Sequence, residues 1–535
     1  MLLINGVVYT LNDEQPSAEA VAIQGERIVG VGSTKEITSA FASGQIIDLH
    51  GRPVYPGFID SHAHLEGLGA ALMYLDLSGT TSIEEITRLV KQEAARRKDG
   101  QWLRGRGWDQ NKWHPPDFPT HQQLDAASGD VPVYLKRIDG HAAWVNRRVM
   151  ELAHIDRSTR DPEGGKILRD EHGNPTGVFV DRAVDMLEAV IPPPSEAERK
   201  EAIRLAVNEC LKVGLTEVHD MGVDLGLLDI YDRLIRSGEF PFRVYAAIDG
   251  PGETWNHFLQ SGPDTAGHAG RLTVRALKMY ADGALGSRGA ALLRPYSDDP
   301  GNRGLTLTST AELTRAAHEC LDRGFQLCVH AIGDRANNMV LNVYEDVLPK
   351  GGRTARFRVE HAQVLDTADI PRFHRIGVLP MMQPSHCTSD MPWVKDRLGA
   401  QRLAGAYAWR SLLDQGSIIP GGSDFPVESP NPLWGFYAAI TRQDRTGRPA
   451  GGWHPEQRMT RLEALRSFTI WGAYAGFQEN VKGSIKPGKW ADLTVLSDDI
   501  MKIDPPRIPG TTVDMTVVAG SIVYRSHAGM AEWTK

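Results

Sequence analysis

Cysteine is scarce. Only Cys210, Cys320, Cys328 and Cys387 occur in 535 residues, and none forms a Cys-x-x-Cys pair. A disulfide framework is therefore not predicted, and a reducing, cytoplasmic setting is expected. No run of 18 apolar residues exists, so no membrane partner is expected. The opening Met1-Leu2-Leu3-Ile4-Asn5-Gly6 has no basic residue and soon reaches Asn12-Asp13-Glu14, which does not read as a signal peptide. Runs rich in Lys and Arg are also missing. With 59 basic against 67 acidic residues the formal net charge is −8, which speaks against nucleic acid or an anionic membrane as partner. No glycine-rich phosphate loop follows any apolar strand pattern, and this weakens a nucleotide-binding reading. What remains is an ordinary globular composition, 41% hydrophobic and 24% charged, long enough for a large core.

The two ends of the chain share a texture. Residues 2–9, 20–31 and Ile46-Ile47-Asp48-Leu49 read as short strands with glycines at the turns. So do Asp492–Leu496, Val513–Val518 and Ile522-Val523-Tyr524. One small β-sandwich built from both termini (1–56 with 480–535) is predicted around a different middle. That middle, 57–479, repeats one local grammar: a capped amphipathic helix, a glycine, then a short apolar strand. Ser195 with Glu198, and Ser309 with Glu312, form capping boxes; Gly214 and Gly324 end the helices. Strands are predicted at 58–64, 215–219, 242–247, 273–281, 325–330, 356–361, 378–382 and 417–420. Eight such units predict an α/β fold, a (β/α)8 TIM barrel. The stretch between His64 and Ser195 far exceeds one barrel helix. It reads as a large insertion, about 68–195, that forms a lid or pocket wall and carries Trp102, Trp108 and Trp113.

The first barrel strand ends in Asp60-Ser61-His62-Ala63-His64. Residues two apart on a strand share a face, so both imidazoles can reach one metal ion. Alone the pair is weak, because 18 histidines in this length give about 0.6 such pairs by chance. Further strand ends supply the context. Lys278, His330, His361 and Asp424 each end or follow an apolar strand, and barrel strand C-termini converge on one mouth. Four imidazoles and a carboxylate suit zinc or a similar divalent ion. The lysine is anomalous there, since an ammonium repels a metal ion.

The residues Lys278-Met279-Tyr280-Ala281-Asp282-Gly283-Ala284-Leu285-Gly286-Ser287-Arg288-Gly289-Ala290 carry a resemblance. With them go His330-Ala331-Ile332-Gly333-Asp334-Arg335, Glu360-His361-Ala362-Gln363 and Gly422-Ser423-Asp424-Phe425-Pro426-Val427. This wording resembles the amidohydrolase superfamily, and within it the amidohydrolase-3 group, which includes N-substituted formamide deformylases. The resemblance implies two divalent metal ions, zinc foremost, on His62, His64, Lys278, His330, His361 and Asp424, with Lys278 carboxylated. It implies a metal-dependent hydrolase of carbon–nitrogen bonds in which Asp424 moves the proton, and a homodimer. A purine-type deaminase fits less well, because His330 is followed by Ala-Ile-Gly-Asp rather than by a glutamate three residues on. A non-catalytic binding protein on the same scaffold would require lost ligands, and all six positions are filled. Trp108, Asp109, His141, Arg288 and His386 are the candidate substrate contacts, His386 also as a catalytic donor to a substrate carbonyl. Trp108 and Trp113 favour a small molecule with a hydrophobic or aromatic group.

Overall fold

Local signals in the sequence become element boundaries in the computed structural model, which describes residues 1–41, 44–97, 101–138, 140, 142–162, 164–349 and 354–526. Ser309 accepts the Glu312 N–H, and the Glu312 carboxylate returns to the Ser309 N–H. This opens the helix Thr310–Arg323, which Gly324 closes in the left-handed conformation at φ 78°. The next residues extend into a strand, and the same step recurs round the barrel.

Seven strands lie side by side in chain order and all parallel: β1 (Phe58–Ala63), β2 (Leu215–Val223), β3 (Arg243–Asp249), β4 (Leu272–Tyr280), β5 (Gln326–Ala331), β6 (Arg358–His361) and β7 (Leu379–Met381). The predicted eighth strand at 417–420 is not regular. Residues 420–425 nevertheless sit between β7 and β1. Met382 N–H donates to Pro420 O (3.3 Å), Ser61 N–H to Gly421 O (2.9 Å), and Asp424 N–H to His62 O (2.8 Å). The physical reason is close approach. A Cβ on Gly422 would stand 2.7 Å from the His62 nitrogen, and one on Gly421 2.6 Å from Ser467 Oγ. A pleated strand with side chains does not fit there. The result is a TIM-like α/β fold.

Strands from both ends of the chain pair in one six-stranded sheet, in the order Ser521–Arg525, Val513–Val518, Leu493–Leu496, Pro53–Pro56, Val7–Tyr9, Ser17–Ala18. A four-stranded sheet runs Arg27–Gly32, Ala20–Gln24, Leu2–Ile4, Ile46–Asp48. Leu3, Val21 and Ile47 of the smaller sheet share an apolar cluster with Val8, Val54, Leu493 and Met515 of the larger. These sheets and the barrel belong to one compact unit, residues 1–65 with 207–535. No helix among the described residues is long and apolar enough to cross a membrane.

Residues 66–206 form a second compact unit. Its six-stranded sheet runs Gly165–Arg169, Pro175–Asp181, Ala142–Val145, Val133–Arg137, Leu103–Trp108, Leu75–Asp76. Here the structure corrects a sequence expectation. Trp108 is fully buried, its indole N–H donates to Leu135 O (2.8 Å), and its ring lies 6.0 Å from Trp113 and 6.3 Å from Trp144. It packs the core of this unit and does not face a substrate, because a large flat ring gains most where both faces are covered. Trp108→Ala is expected to cost about 3–5 kcal/mol. Hydrogen exchange should show the lost protection within 66–206 and leave the barrel amides slow.

Candidate metal centre

The barrel brings three of the predicted ligands, His62, His64 and His361, around the carboxylate of a fourth, Asp424. Asp424 Oδ1 lies 3.5 Å from His62 Nε2 and 3.3 Å from His64 Nε2, while Oδ2 lies 3.8 Å from His386 Nε2. One ligand atom each of His62, His64 and Asp424 falls within 4.8 Å of the others, and so does one each of His361, His386 and Asp424. Lys278 Nζ stands 3.3 Å from His62 Nε2. The His330 ring is 4.6 Å from that of His361, but its Nε2 is turned to Gly283 O at 3.4 Å. His330 therefore lies beside the set without turning its Nε2 to Asp424, and His386 completes the second triad.

The backbone bends to make this happen. His361 (φ 71°), Ala362 (φ 43°) and Asp424 (φ 58°) occupy the left-handed region. Non-glycine residues are held there only when their surroundings over-determine them, and such strain gathers at functional sites.

Behind the ligands, three of the rings have their other nitrogen occupied. His62 Nδ1–H donates to Glu360 Oε2 (2.5 Å), His64 Nδ1–H to Met221 O (3.0 Å), and His361 Nδ1–H to Gln383 Oε1 (2.8 Å). These contacts fix the tautomer with the Nε2 lone pair toward the centre, as outer partners of metal-bound histidines do. Asp60 accepts the Ser423 N–H (3.0 Å) and hydroxyl (2.6 Å), which places the turn carrying Asp424. Asp282 accepts the N–H groups of Ala291, Ile332 and Gly333, which places the segment after His330. Sequence reasoning missed Glu360, Asp60, Asp282 and Gln383 in these roles. The signal was present in Arg358-x-Glu360: two charges on the buried face of an apolar strand demand a partner.

The electrostatics fit a cation site. Burial, and then the Lys278 charge, push the His62 imidazole down to about 4. Burial first, with neighbouring cations, also holds His330 and His361 well below 6.5. Burial thus favours the neutral form of each ring, the form that ligates. Burial alone would raise the Asp424 carboxyl, but His62, His64 and His361 outweigh it and hold it well below the usual range. Burial likewise lowers the Lys278 ammonium, which has no ion pair among the described residues. Imidazole and carboxylate donors in this number, with the buried His386 Nε2 making no hydrogen bond among the described residues, fit divalent metal.

Two other predicted contacts are local. Asp109 pairs with Arg137 (2.7 Å) and caps the turn Gln110–Lys112, so it supports the insertion. Arg288 binds Asp298 (3.0 Å) rather than standing free for a substrate carboxylate. His141 lies outside the described residues. Tyr280, not anticipated, is 37% exposed, with its ring 5.0 Å from Lys278 Nζ and 5.7 Å from the His330 ring.

Comparison with known proteins follows the same lines. The chain is 36% identical to the Bacillus subtilis (strain 168) protein named "Putative amidohydrolase YtcJ", over 97% of this chain and 98% of that one. It is 28% identical to the N-substituted formamide deformylase of Arthrobacter pascens, over 98% of both. The crystal structure of an uncharacterized metal-dependent hydrolase from Pyrococcus horikoshii OT3 superposes with a TM-score of 0.79 at 27% identity, covering 94% of this chain and 98% of that one. Residues 45–524 match the profile of the amidohydrolase family, and the chain belongs to that family.

Proposed function

We propose that the chain is a metal-dependent hydrolase of a carbon–nitrogen bond other than a peptide bond, with amides, and N-substituted formamides among them, as substrates. The observation that carries this reading is the convergence of His62, His64, His361 and His386 on the two oxygens of Asp424, with Lys278 alongside. The named activity of the Arthrobacter pascens relative supports the formamide class.

His62, His64, Lys278, His330, His361 and Asp424 would hold two divalent ions, zinc by donor type, with Lys278 as its CO2-derived carbamate. Such ions supply Lewis acidity and an activated water. Asp424 accepts the proton of the attacking water and returns it to the leaving nitrogen. His386, whose Nε2 makes no hydrogen bond among the described residues, donates to the substrate carbonyl oxygen. The Nδ1 contacts of His62, His64 and His361 keep the three rings from rotating during the cycle.

The test is a screen of the zinc-reconstituted protein, after chelation, against formamides, acetamides, cyclic amides, esters and lactones. Highest kcat/KM on formamides is the expected result. Turnover confined to lactones or esters would move the reaction to carbon–oxygen bonds. Full zinc binding with no turnover of any class would leave a binding protein on this scaffold.

A further inference from the structure

TIM barrel interiors are normally filled by layers of branched apolar side chains. This one holds a line of charged and polar groups instead. Lys482, Glu217, His219, Arg358, Glu360 and His62 are all buried, with none more than 3% exposed. Removing such groups from water is expensive unless they are matched, and here each faces the next, although Glu217 Oε1 and His219 Nε2 approach one another without a hydrogen bond. Lys482 Nζ contacts Glu217 Oε2 and Gln478 Oε1. Glu217 Oε1 faces His219 Nε2 at 3.5 Å. His219 Nδ1 faces Arg358 at 3.0 Å. Arg358 binds both oxygens of Glu360 (2.6 and 3.0 Å) and also donates to Ser61 O (2.6 Å), the carbonyl that precedes His62. Glu360 Oε2 then holds His62 Nδ1.

The line has one direction. A guanidinium can only donate, so His219 Nδ1 is the acceptor and its proton sits on Nε2, aimed at Glu217. Burial, reinforced by Arg358, keeps this imidazole neutral, well below its ordinary range. With Arg358 against both its oxygens, Glu360 accepts from His62, whose proton must then lie on Nδ1. His62 Nε2 is left as a lone pair toward Asp424. Three barrel strands (β1, β2 and β6) and the segment following the helix Ile470–Ala475 are joined in this way.

We propose that Lys482, Glu217, His219 and Arg358 are positioning residues of the metal centre: the interior line they form sets the tautomer and orientation of His62 through Glu360. The proposal rests on the metal-centre reading above. Lys482 touches no ligand residue, yet its removal would leave Glu217 buried without its cation. Glu217 would then draw on His219 and loosen the grip of Arg358 on Glu360 and on Ser61 O.

The experiment measures zinc affinity by chelator competition and the visible spectrum of the cobalt(II)-substituted protein, on the full chain. The variants are Lys482→Met, Glu217→Gln and the double variant. Each single change is expected to weaken zinc binding by about ten- to a hundredfold, the usual effect of disturbing an outer partner, and to shift the cobalt spectrum. The double variant, which removes both members of the pair, should recover most of the loss. Singles that lower the melting temperature while zinc affinity and the cobalt spectrum stay at the parent values would overturn the proposal. So would a double variant whose losses simply add. If a single variant does not fold, His219→Phe reads the same line, with unchanged zinc affinity again overturning it. A parent protein that binds no zinc would defeat the metal-centre reading itself, a result distinct from parent and variants binding zinc equally.

Discussion

Asp424→Asn is expected to lower turnover at least about a hundredfold, the low end for loss of a positioned acid–base group. Asparagine keeps the shape of the side chain but removes the charge and the proton-accepting oxygen. Oδ1 faces His62 Nε2 and His64 Nε2, and Oδ2 faces His386 Nε2, so whichever way the amide turns, its NH2 meets an imidazole nitrogen. The wild-type carboxylate stays ionised at neutral pH because three imidazoles outweigh its burial, and an ionised group can take a proton. The check is turnover of the best amide substrate, with metal content measured on the same sample. Near-normal turnover with metal retained would assign proton transfer to another group, His386 first among them.

A comparable loss is expected from Lys278→Ala, through a different cause. Lys278 is 1% exposed and stands 3.3 Å from His62 Nε2, with no carboxylate paired to it among the described residues. An ammonium so placed is disfavoured by desolvation, so the amine is pushed toward its neutral form, the one that reacts with CO2. Alanine is expected to empty at least one metal position, read as zinc per chain by elemental analysis. Short carboxylic acids with bicarbonate should restore part of the metal and part of the activity. An unmodified Lys278 turned away from a fully occupied metal pair in a zinc-loaded crystal would refute the carbamate and leave the histidine–aspartate set standing.

The positions of the candidate ligands were legible in the sequence because strand ends are local features. Alternation places His62 and His64 on one face, and a glycine after a capped helix announces each following strand, as at Gly324 before β5. His62, His64, Lys278, His330, His361 and Asp424 could thus be read as a set before any packing was known, and the family with them. Their spacing along the chain follows from the repeat of the barrel unit, which short-range propensity and polarity set.

The orientation of those ligands belongs to the tertiary structure alone. Glu360 meets His62 across a separation of 298 residues, and no local pattern says which imidazole nitrogen carries the proton. The left-handed backbone at His361 and Asp424 is uncommon even for histidine and aspartate, the types that enter that region more readily than most, and it persists because the surrounding fold holds it. Residues 417–420 read as a strand from their apolar letters, but the chain there is not regular and a Cβ at Gly422 would meet His62, so the eighth position is filled by irregular chain. Trp108 read as a substrate contact because an aromatic beside a predicted mouth looks available; only packing shows its ring closed in by Trp113 and Trp144. Local interactions select which residues stand at the strand ends. Long-range burial of charge, which requires a partner for every group removed from water, decides how they face one another.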